Sequence, residues 1–272
     1  MLKYGCNLFF SPNGTGGAQM EQLNSVVQST VQSGVLPLKT TYSAVWNLYG
    51  DKIVAFRGQT TVQSVVYGAL TENVLDNELC GEVAVRLFVR NLKNAYTLAE
   101  LSAKTGKNHN WYSVYCNVSP DELNFAELQA ITGGSRLASG VCVEFPSRCL
   151  QNVNGFAKVI SEFRKMGFVT AIRGYGSERF PMVSLLTATP DVVLLEPSIS
   201  VQAATPSRSA AVRALVDFAV NLGCNVVALG AETDEQIRAL RAANCFGVCV
   251  TNSYRGVYDC KPIVVADDQV LT

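Results

Sequence analysis

The chain has 272 residues, 48% of them hydrophobic, which suits one large α/β barrel or two small domains around a sizeable core. Its 22 basic and 22 acidic residues balance, so it lacks the charge footprint of a nucleic-acid binder or of a protein drawn to an acidic membrane. Only 16% of residues are charged, which leaves a partly apolar surface with room for an interface.

Residues 1–35 are rich in Gly, Ser, Gln and Asn and read as an N-terminal extension with a short helix over 18–33. Two β-rich runs follow, PLKTTYSAVWNLYG and DKIVAFR, separated by a turn at Tyr49-Gly50-Asp51. From about residue 110 strands and helices alternate. Tyr112–Asn117 is a strand, and Ser119-Pro120-Asp121-Glu122 starts a helix with a capping box and proline in its first turn. Val141–Glu144 is the next strand. Phe156, Val159, Ile160 and Phe163 then recur at i, i+3, i+4 and i+7, one face of a helix that Gly167 stops. Phe168–Ile172 and Asp191–Leu195 are strands, and Ala211–Leu222 is a helix ended by Gly223. Asn225–Leu229 is a strand, Thr233 and Gln236 cap a helix running toward Ala243, and Phe246–Val250 is the last clear strand.

Strands alternating with helices imply right-handed crossovers and a parallel sheet. At this length a TIM-type (β/α)8-like barrel is the first expectation and a doubly wound open sheet the second. RGYGS, with Gly174 and Gly176, lacks the third glycine of a dinucleotide fingerprint. Barrel enzymes gather functional residues at the C-terminal ends of strands. Here those ends carry Arg57, Asn117, Glu144, Arg173, Leu194 and Leu229.

There are nine cysteines and one histidine, His109. No CxxC pair occurs, and the spacing of Cys245 and Cys249 does not suit a zinc knuckle. Cys142 in SGVCVEF and Cys224 in GCNVVAL sit inside apolar runs and read as buried, reduced thiols, which points to the cytoplasm. The apolar stretch in MLKYGCNLFF is too short for a signal peptide, and no stretch approaches the length of a membrane span.

Several segments, in order, resemble those of the EAL family of cyclic-di-GMP phosphodiesterases. YSVYCNVSPDEL is similar to the family's second-strand segment, which ends in an asparagine. VCVEFPSRCL is similar to the segment that normally reads Glu-x-Thr-Glu. FRKMGFVTAIRGYGSERFPMVSLL resembles the stretch carrying Asp-Asp-Phe-Gly. PDVVLLEPSI resembles the strand with a lysine followed, two residues later, by an aspartate. NVVALGAETDEQIRALRAANC resembles the segment reading Ala-Glu-Gly-Val-Glu-Thr, and LYGDKIVAFRGQTTV stands where the signature Glu-Ala-Leu would be. The likeness runs from roughly Pro37 to Thr251 and implies a degenerate EAL-type barrel over residues 36–272, in a bacterial signalling protein.

The family's chemistry uses two divalent ions, Mg²⁺ or Mn²⁺, held by carboxylates and an asparagine. Carried over by position, Asn117, Glu144 and Glu232 remain as relics of that site. Arg57 stands for the signature glutamate, Arg173 and Gly174 for the paired aspartates, Leu194 for the lysine and Leu229 for a ligand glutamate. Pro146 and Ser147 replace the threonine and second glutamate of the third-strand motif, and CFGVCVTN lacks the family's glutamine. The resemblance therefore implies no catalytic residues and no metal, with Mg²⁺ or Mn²⁺ relevant only if activity survives.

Glu144 and Arg173 are expected to form an internal ion pair in place of the metal. The alternative is an anion site in which Arg57 and Arg173 fork a phosphate of cyclic-di-GMP, although Thr61 stands where the family carries a binding arginine. Asn117 can equally cap the helix beside Ser119, Glu232 reads as solvated beside a helix start, His109 as exposed and Trp111 as barrel packing. Three functions follow in descending order: a non-catalytic signalling regulator acting on a protein partner, a non-hydrolysing cyclic-di-GMP receptor, and a surviving phosphodiesterase. With about 35 residues ahead of the barrel, no sensor or GGDEF-type segment is expected there, and input is expected through that extension, the partner or self-association. The uncharged PSISVQAATP stretch, Pro197 to Pro206, is the expected homodimer surface. Neither nucleic-acid binding nor a membrane span is expected.

Overall fold

A computed structural model describes residues 38–64, 68–70, 81–107, 109–118, 123–132 and 140–266. The 18–33 helix, the Ser119 capping box and the boundary near residue 35 lie outside these residues. Among the described residues ten strands are ordered β1 (Leu38–Asn47), β2 (Lys52–Ser64), β3 (Gly68–Leu70), β4 (Trp111–Tyr115), β5 (Val141–Phe145), β6 (Val169–Tyr175), β7 (Val192–Leu195), β8 (Asn225–Ala231), β9 (Gly247–Val250) and β10 (Ile263–Ala266). Eight of them close a barrel, because β1 pairs with both β2 and β9 while β2 and β4 through β9 run as a parallel series. Closure rules out the open doubly wound sheet. The barrel departs from a pure (β/α)8 form in one strand: β1 is antiparallel to both neighbours. β10 extends the sheet beside the first half of β1, and β3 beside the end of β2.

The hairpin forms where the turn residues place it. Asn47 Oδ1 accepts from the backbone N–H groups of Tyr49 (2.9 Å) and Gly50 (2.8 Å). Asp51 takes a left-handed φ of 47°, which aspartate tolerates better than most residues. Its carboxylate accepts from Arg241 and from the Tyr258 hydroxyl (2.7 Å), which ties the turn to the far end of the chain.

Among the described residues six helices surround the strands: α1 (Gly81–Lys104), α2 (Phe125–Thr132), α3 (Val153–Lys165), α4 (Pro197–Ser200), α5 (Pro206–Asn221) and α6 (Asp234–Ala242). α3 buries Phe156, Val159, Ile160 and Phe163, the four residues its period selects, and ends before Gly167. Thr233 and Gln236 form the expected capping box of α6. α5 begins five residues earlier than Ala211, because Pro206 sits in its first turn while Ser207, Arg208 and Ser209 are exposed and add no apolar period. The fourth strand ends at Tyr115 rather than Asn117. α1 was not anticipated: its inner face alternates Leu87, Phe88, Leu92 and Ala95 with the buried polar Asn91 and Asn94, which breaks the apolar pattern.

Two layers of core result. Val45, Ala55, Trp111, Cys142, Val227 and their neighbours fill the barrel interior, which assigns Trp111 to packing. A larger cluster lies between the strands and the helices. Cys142 and Cys224 are buried free thiols, as their apolar settings require.

His109 corrects the sequence reading. It is half-buried, edge-on to Phe56 (centroids 4.9 Å) and Tyr112 (6.2 Å), and burial lowers its pKa.

Candidate functional site

The barrel mouth is built from residues of one strand parity. Val45 and Ala55 pair across the β1–β2 hairpin in the barrel interior, so Ser43 and Arg57, paired one step further along, stand at its open end. Ser113 and Tyr115 occupy the same parity as Trp111 on β4, Glu144 follows Cys142 on β5, and Arg173 follows Ala171 on β6. Leu194 and Leu229 complete the ring as buried aliphatic side chains.

Glu144 is the hub, with no exposed surface. Its Oε2 accepts from Arg57 Nε at 3.2 Å and from Arg173 Nε at 2.5 Å, while Oε1 accepts from the Ser113 hydroxyl. The expected Glu144–Arg173 ion pair is therefore present, and Arg57 joins it. Each close pair attracts by about 4 kcal/mol at an effective dielectric of ~20. Desolvating the three charged groups costs several kcal/mol each, so the cluster holds its neighbours in one arrangement more than it adds net stability.

Two glycines shape the cluster. Gly58 follows Arg57, and a Cβ there would lie 2.5 Å from the Ser113 carbonyl oxygen and 2.9 Å from the Tyr42 ring. That close approach lets the Gly58 N–H donate to Ser113 Oγ at 3.0 Å, so the Ser113 hydrogen points at Glu144. Gly174 follows Arg173 at φ 85°, at the irregularity in the β6–β7 register. The Arg173 guanidinium lies over the Tyr115 ring, its Cζ 3.8 Å from the centroid.

Burial alone would push the Glu144 carboxyl up, but Arg57 and Arg173 and the hydrogen bonds from Ser113 and Arg173 together outweigh it and hold the group below the usual range. Glu196, just beyond β7, goes the other way. It is half-buried, and desolvation raises its pKa while Arg57 and Arg173 partly oppose the rise. A carboxyl with a raised folded pKa favours the fold most at low pH and loses that contribution as pH climbs from the unfolded value to the folded one. Glu196→Gln is therefore expected to gain stability relative to wild type as pH rises above about 4.3. A pH series of urea midpoints checks this, and a difference that does not change with pH removes Glu196 from the mouth's electrostatics. Cys249 also faces these charges, yet burial pushes its thiol up to about 11 with Arg57 opposing, so it stays protonated near neutrality.

Asn117 and Glu232 are not drawn into the cluster. Asn117 lies two residues past β4, half-buried, and is not a partner of Glu144. Glu232 is exposed, its backbone N–H donating to Gln236 Oε1 at 2.7 Å in the α6 cap. Thr61 donates to the Lys39 carbonyl (3.3 Å) across the hairpin. Ser113, Tyr115 and Glu196 are the site residues that sequence reasoning missed. Strand parity with Trp111 marks the first two, and the position two residues after Leu194 marks the third. Among the described residues, no group of three or more His, Cys, Asp or Glu side chains is placed to hold a metal ion. No described helix is long and apolar enough to cross a membrane.

Comparison with known proteins gives this arrangement a family. No curated protein matches the chain. Among solved structures, "EAL Enzyme Bd1971", bound to cAMP and cyclic-di-GMP, is similar at a TM-score of 0.71 and 14% identity, over 86% of this chain; the chain spans 65% of that structure. The "PaMucR Phosphodiesterase, c-di-GMP complex" is similar at 0.69 and 17% identity, over 86% of this chain and 96% of that one. Klebsiella pneumoniae BlrP1, in a manganese and cyclic-di-GMP complex, is similar at 0.64 and 18% identity, over 84% and 57%. At these identities the likeness speaks for the fold. The family model for the EAL domain matches residues 85–249, starting after Arg57, so the signature position rests on order along the chain alone. With more than half of its 272 residues matched by that model, the chain belongs to the EAL domain family.

Proposed function

We propose that this EAL-domain chain is a non-catalytic member that works as a signalling regulator by binding a protein partner. The observation that carries the reading is the Glu144 carboxylate, with both oxygens occupied by Arg57, Arg173 and Ser113. A divalent ion needs several anionic oxygens, and the donor set does not fit one. Two fixed guanidiniums stand at the mouth, and an ion placed there would meet repulsion as large as the attraction it needs. Leu194 and Leu229 add apolar surface and no donor.

Incubation with cyclic-di-GMP and Mg²⁺ or Mn²⁺ is expected to yield no linear product. Linear product that disappears in Glu144→Ala would overturn the reading. Exposed apolar side chains supply a partner surface. Val183 and Leu186 are 76% and 58% exposed on the short helical turn Met182–Leu186. The Pro197–Pro206 stretch sends Ser200 and Ala203 into the interior, so burial already accounts for part of its low charge, and a homodimer there is the weaker form of this reading. The buried free cysteines fit a reducing cytoplasm.

A second reading, a non-hydrolysing cyclic-di-GMP receptor, draws on Arg57. It bonds Glu144 through Nε, and a guanidinium carries two further nitrogens that can donate to an anion. A cavity of about 580 Å³ reaches the mouth only at Ser43; Lys39, Arg255, Lys261 and Asp259 supply its charged lining, and Arg57 does not line it. Calorimetry without metal decides it: heat that Arg57→Ala abolishes supports the receptor, and the absence of heat sinks it.

A further inference from the structure

His109 is the chain's one histidine, and the mouth makes no use of it. It stands at the foot of the seam between β2 and β4, at the end of the barrel away from the mouth. That seam is short. β2 and β4 pair in register at Ala55–Trp111 and Phe56–Tyr112, whereas the seam on the other side of β4 runs from Tyr112–Val141 to Tyr115–Glu144. Below the short ladder the Asn110 N–H donates to the Val54 carbonyl, and above it the Gly58 N–H donates to Ser113 Oγ at 3.0 Å. His109 immediately precedes Asn110. Its ring lies edge-on to both members of the upper pair, 4.9 Å from Phe56 and 6.2 Å from Tyr112. Those two rings stack on each other, with centroids 5.4 Å and planes 8° apart. Arg57 and Ser113, the next residues along the two strands, both bond to Glu144. A continuous set of contacts therefore joins the imidazole to the mouth.

We propose that His109 is an acid-sensitive latch: neutral, it closes the foot of the β2–β4 seam, and protonated, it loosens that seam and with it the positions of Arg57 and Ser113. The geometry sets the direction. The ring is hydrogen-bonded to the Ile53 backbone, while Nδ1 is buried with no hydrogen-bond partner. A neutral imidazole carries one N–H, and the Ile53 bond uses it. Protonation puts a second N–H on Nδ1, where a buried, charged donor without an acceptor costs more than a bare nitrogen. The surroundings do not compensate. Lys107 of the same loop repels the charge, β2 presents the apolar Phe56, β4 presents the ring of Tyr112, and among the described residues no carboxylate acts on the imidazole. Burial is the largest influence, Lys107 adds to it and the Ile53 bond opposes both, so the His109 pKa lies below its usual value. A histidine held neutral in this way supports the fold fully above the unfolded value of about 6.5. That support is lost as pH falls from there through the lower folded value, which is the range of mild acidification. The latch goes beyond the reading of the mouth and does not depend on what binds there.

Two measurements on the full chain test it. With one histidine present, the imidazole C–H resonances are unambiguous, and their titration midpoint is expected below about 6.5. Hydrogen exchange, corrected for intrinsic rates, is expected to show the protection of the Gly58 amide falling several-fold between about pH 7.5 and about pH 5.5, with the amides of β7 and β8 falling less. His109→Phe keeps a ring beside Phe56 and Tyr112 that cannot be protonated, so the fall is expected to vanish there. His109→Gln serves the same purpose if His109→Phe misfolds, and the imidazole titration needs no variant. Glu196 is present in both variants, so a fall that persists in them belongs to another group and overturns the inference. An imidazole midpoint at or above about 6.5 overturns it as well, as does protection that is unchanged with pH or lost equally in every strand.

Discussion

Replacing Glu144 with alanine is expected to destabilise the chain by about 3–5 kcal/mol, because it strands two buried guanidinium groups around a cavity. The side chains of Arg57 and Arg173 are 9% and 12% exposed, so water replaces the lost partner poorly. Ser113 loses its acceptor as well. Urea unfolding should show a lower midpoint with an unchanged slope. A loss within about 0.5 kcal/mol, the range of ordinary surface changes, would mean the cluster is solvated and the account of the mouth is wrong. The companion variant Glu144→Leu with Arg57→Met and Arg173→Met removes all three charges and is expected to be neutral or stabilising. Acid gives an independent reading. The Glu144 carboxyl is depressed in the fold, so its contribution is complete above the unfolded value of about 4.3 and disappears as pH falls through the lower folded value. Wild type should lose stability over that acid limb, and Glu144→Ala should lose less.

What the sequence discloses depends on how local the cause is. The Tyr49-Gly50-Asp51 turn, the Phe156 to Phe163 face and the Thr233–Gln236 cap are each fixed within a few residues, and each forms as read. α1 is fixed by what it packs on. Asn91 is buried because Thr40 and Thr60 wait for it on β1 and β2, a partnership that no window of α1 reveals. β10 pairs with residues more than 200 positions earlier, and its four residues carry no signal without β1. The mouth divides the same way. Arg57, Glu144 and Arg173 were legible because strand ends could be counted, and their charges implied a pairing. Ser113 and Tyr115 looked like strand filler until parity with Trp111 aimed them inward. Glu196 was hidden by lying past the last residue of its strand.

Truncating Phe163 to alanine is expected to cost about 3–5 kcal/mol, a loss of the same size from the opposite side of the barrel wall. Phe163 is fully buried on α3 and meets Phe88 of α1 (centroids 6.4 Å), Phe125 of α2 (5.5 Å), Phe145 of β5 (5.5 Å) and Phe168 before β6 (5.5 Å). Rings from this many elements cannot all close on the space left behind, which puts the cost toward the upper part of the range for a large-to-small change. Denaturant midpoints measure it, and a loss below about 1 kcal/mol would mean the helical layer collapses freely onto the strands. Phe145 and Glu144 are consecutive on β5, so one points into the helical layer and the other into the mouth. A double-mutant cycle between Phe163→Ala and Glu144→Ala therefore asks whether the wall transmits strain. Independent layers give additivity within about 0.5 kcal/mol, and a larger coupling means the mouth charges and the aromatic layer are one unit. Additivity is the expected result: the aromatic layer holds the barrel without reference to the mouth, which is the condition under which guanidiniums can stand at the mouth of an EAL barrel while the fold remains intact.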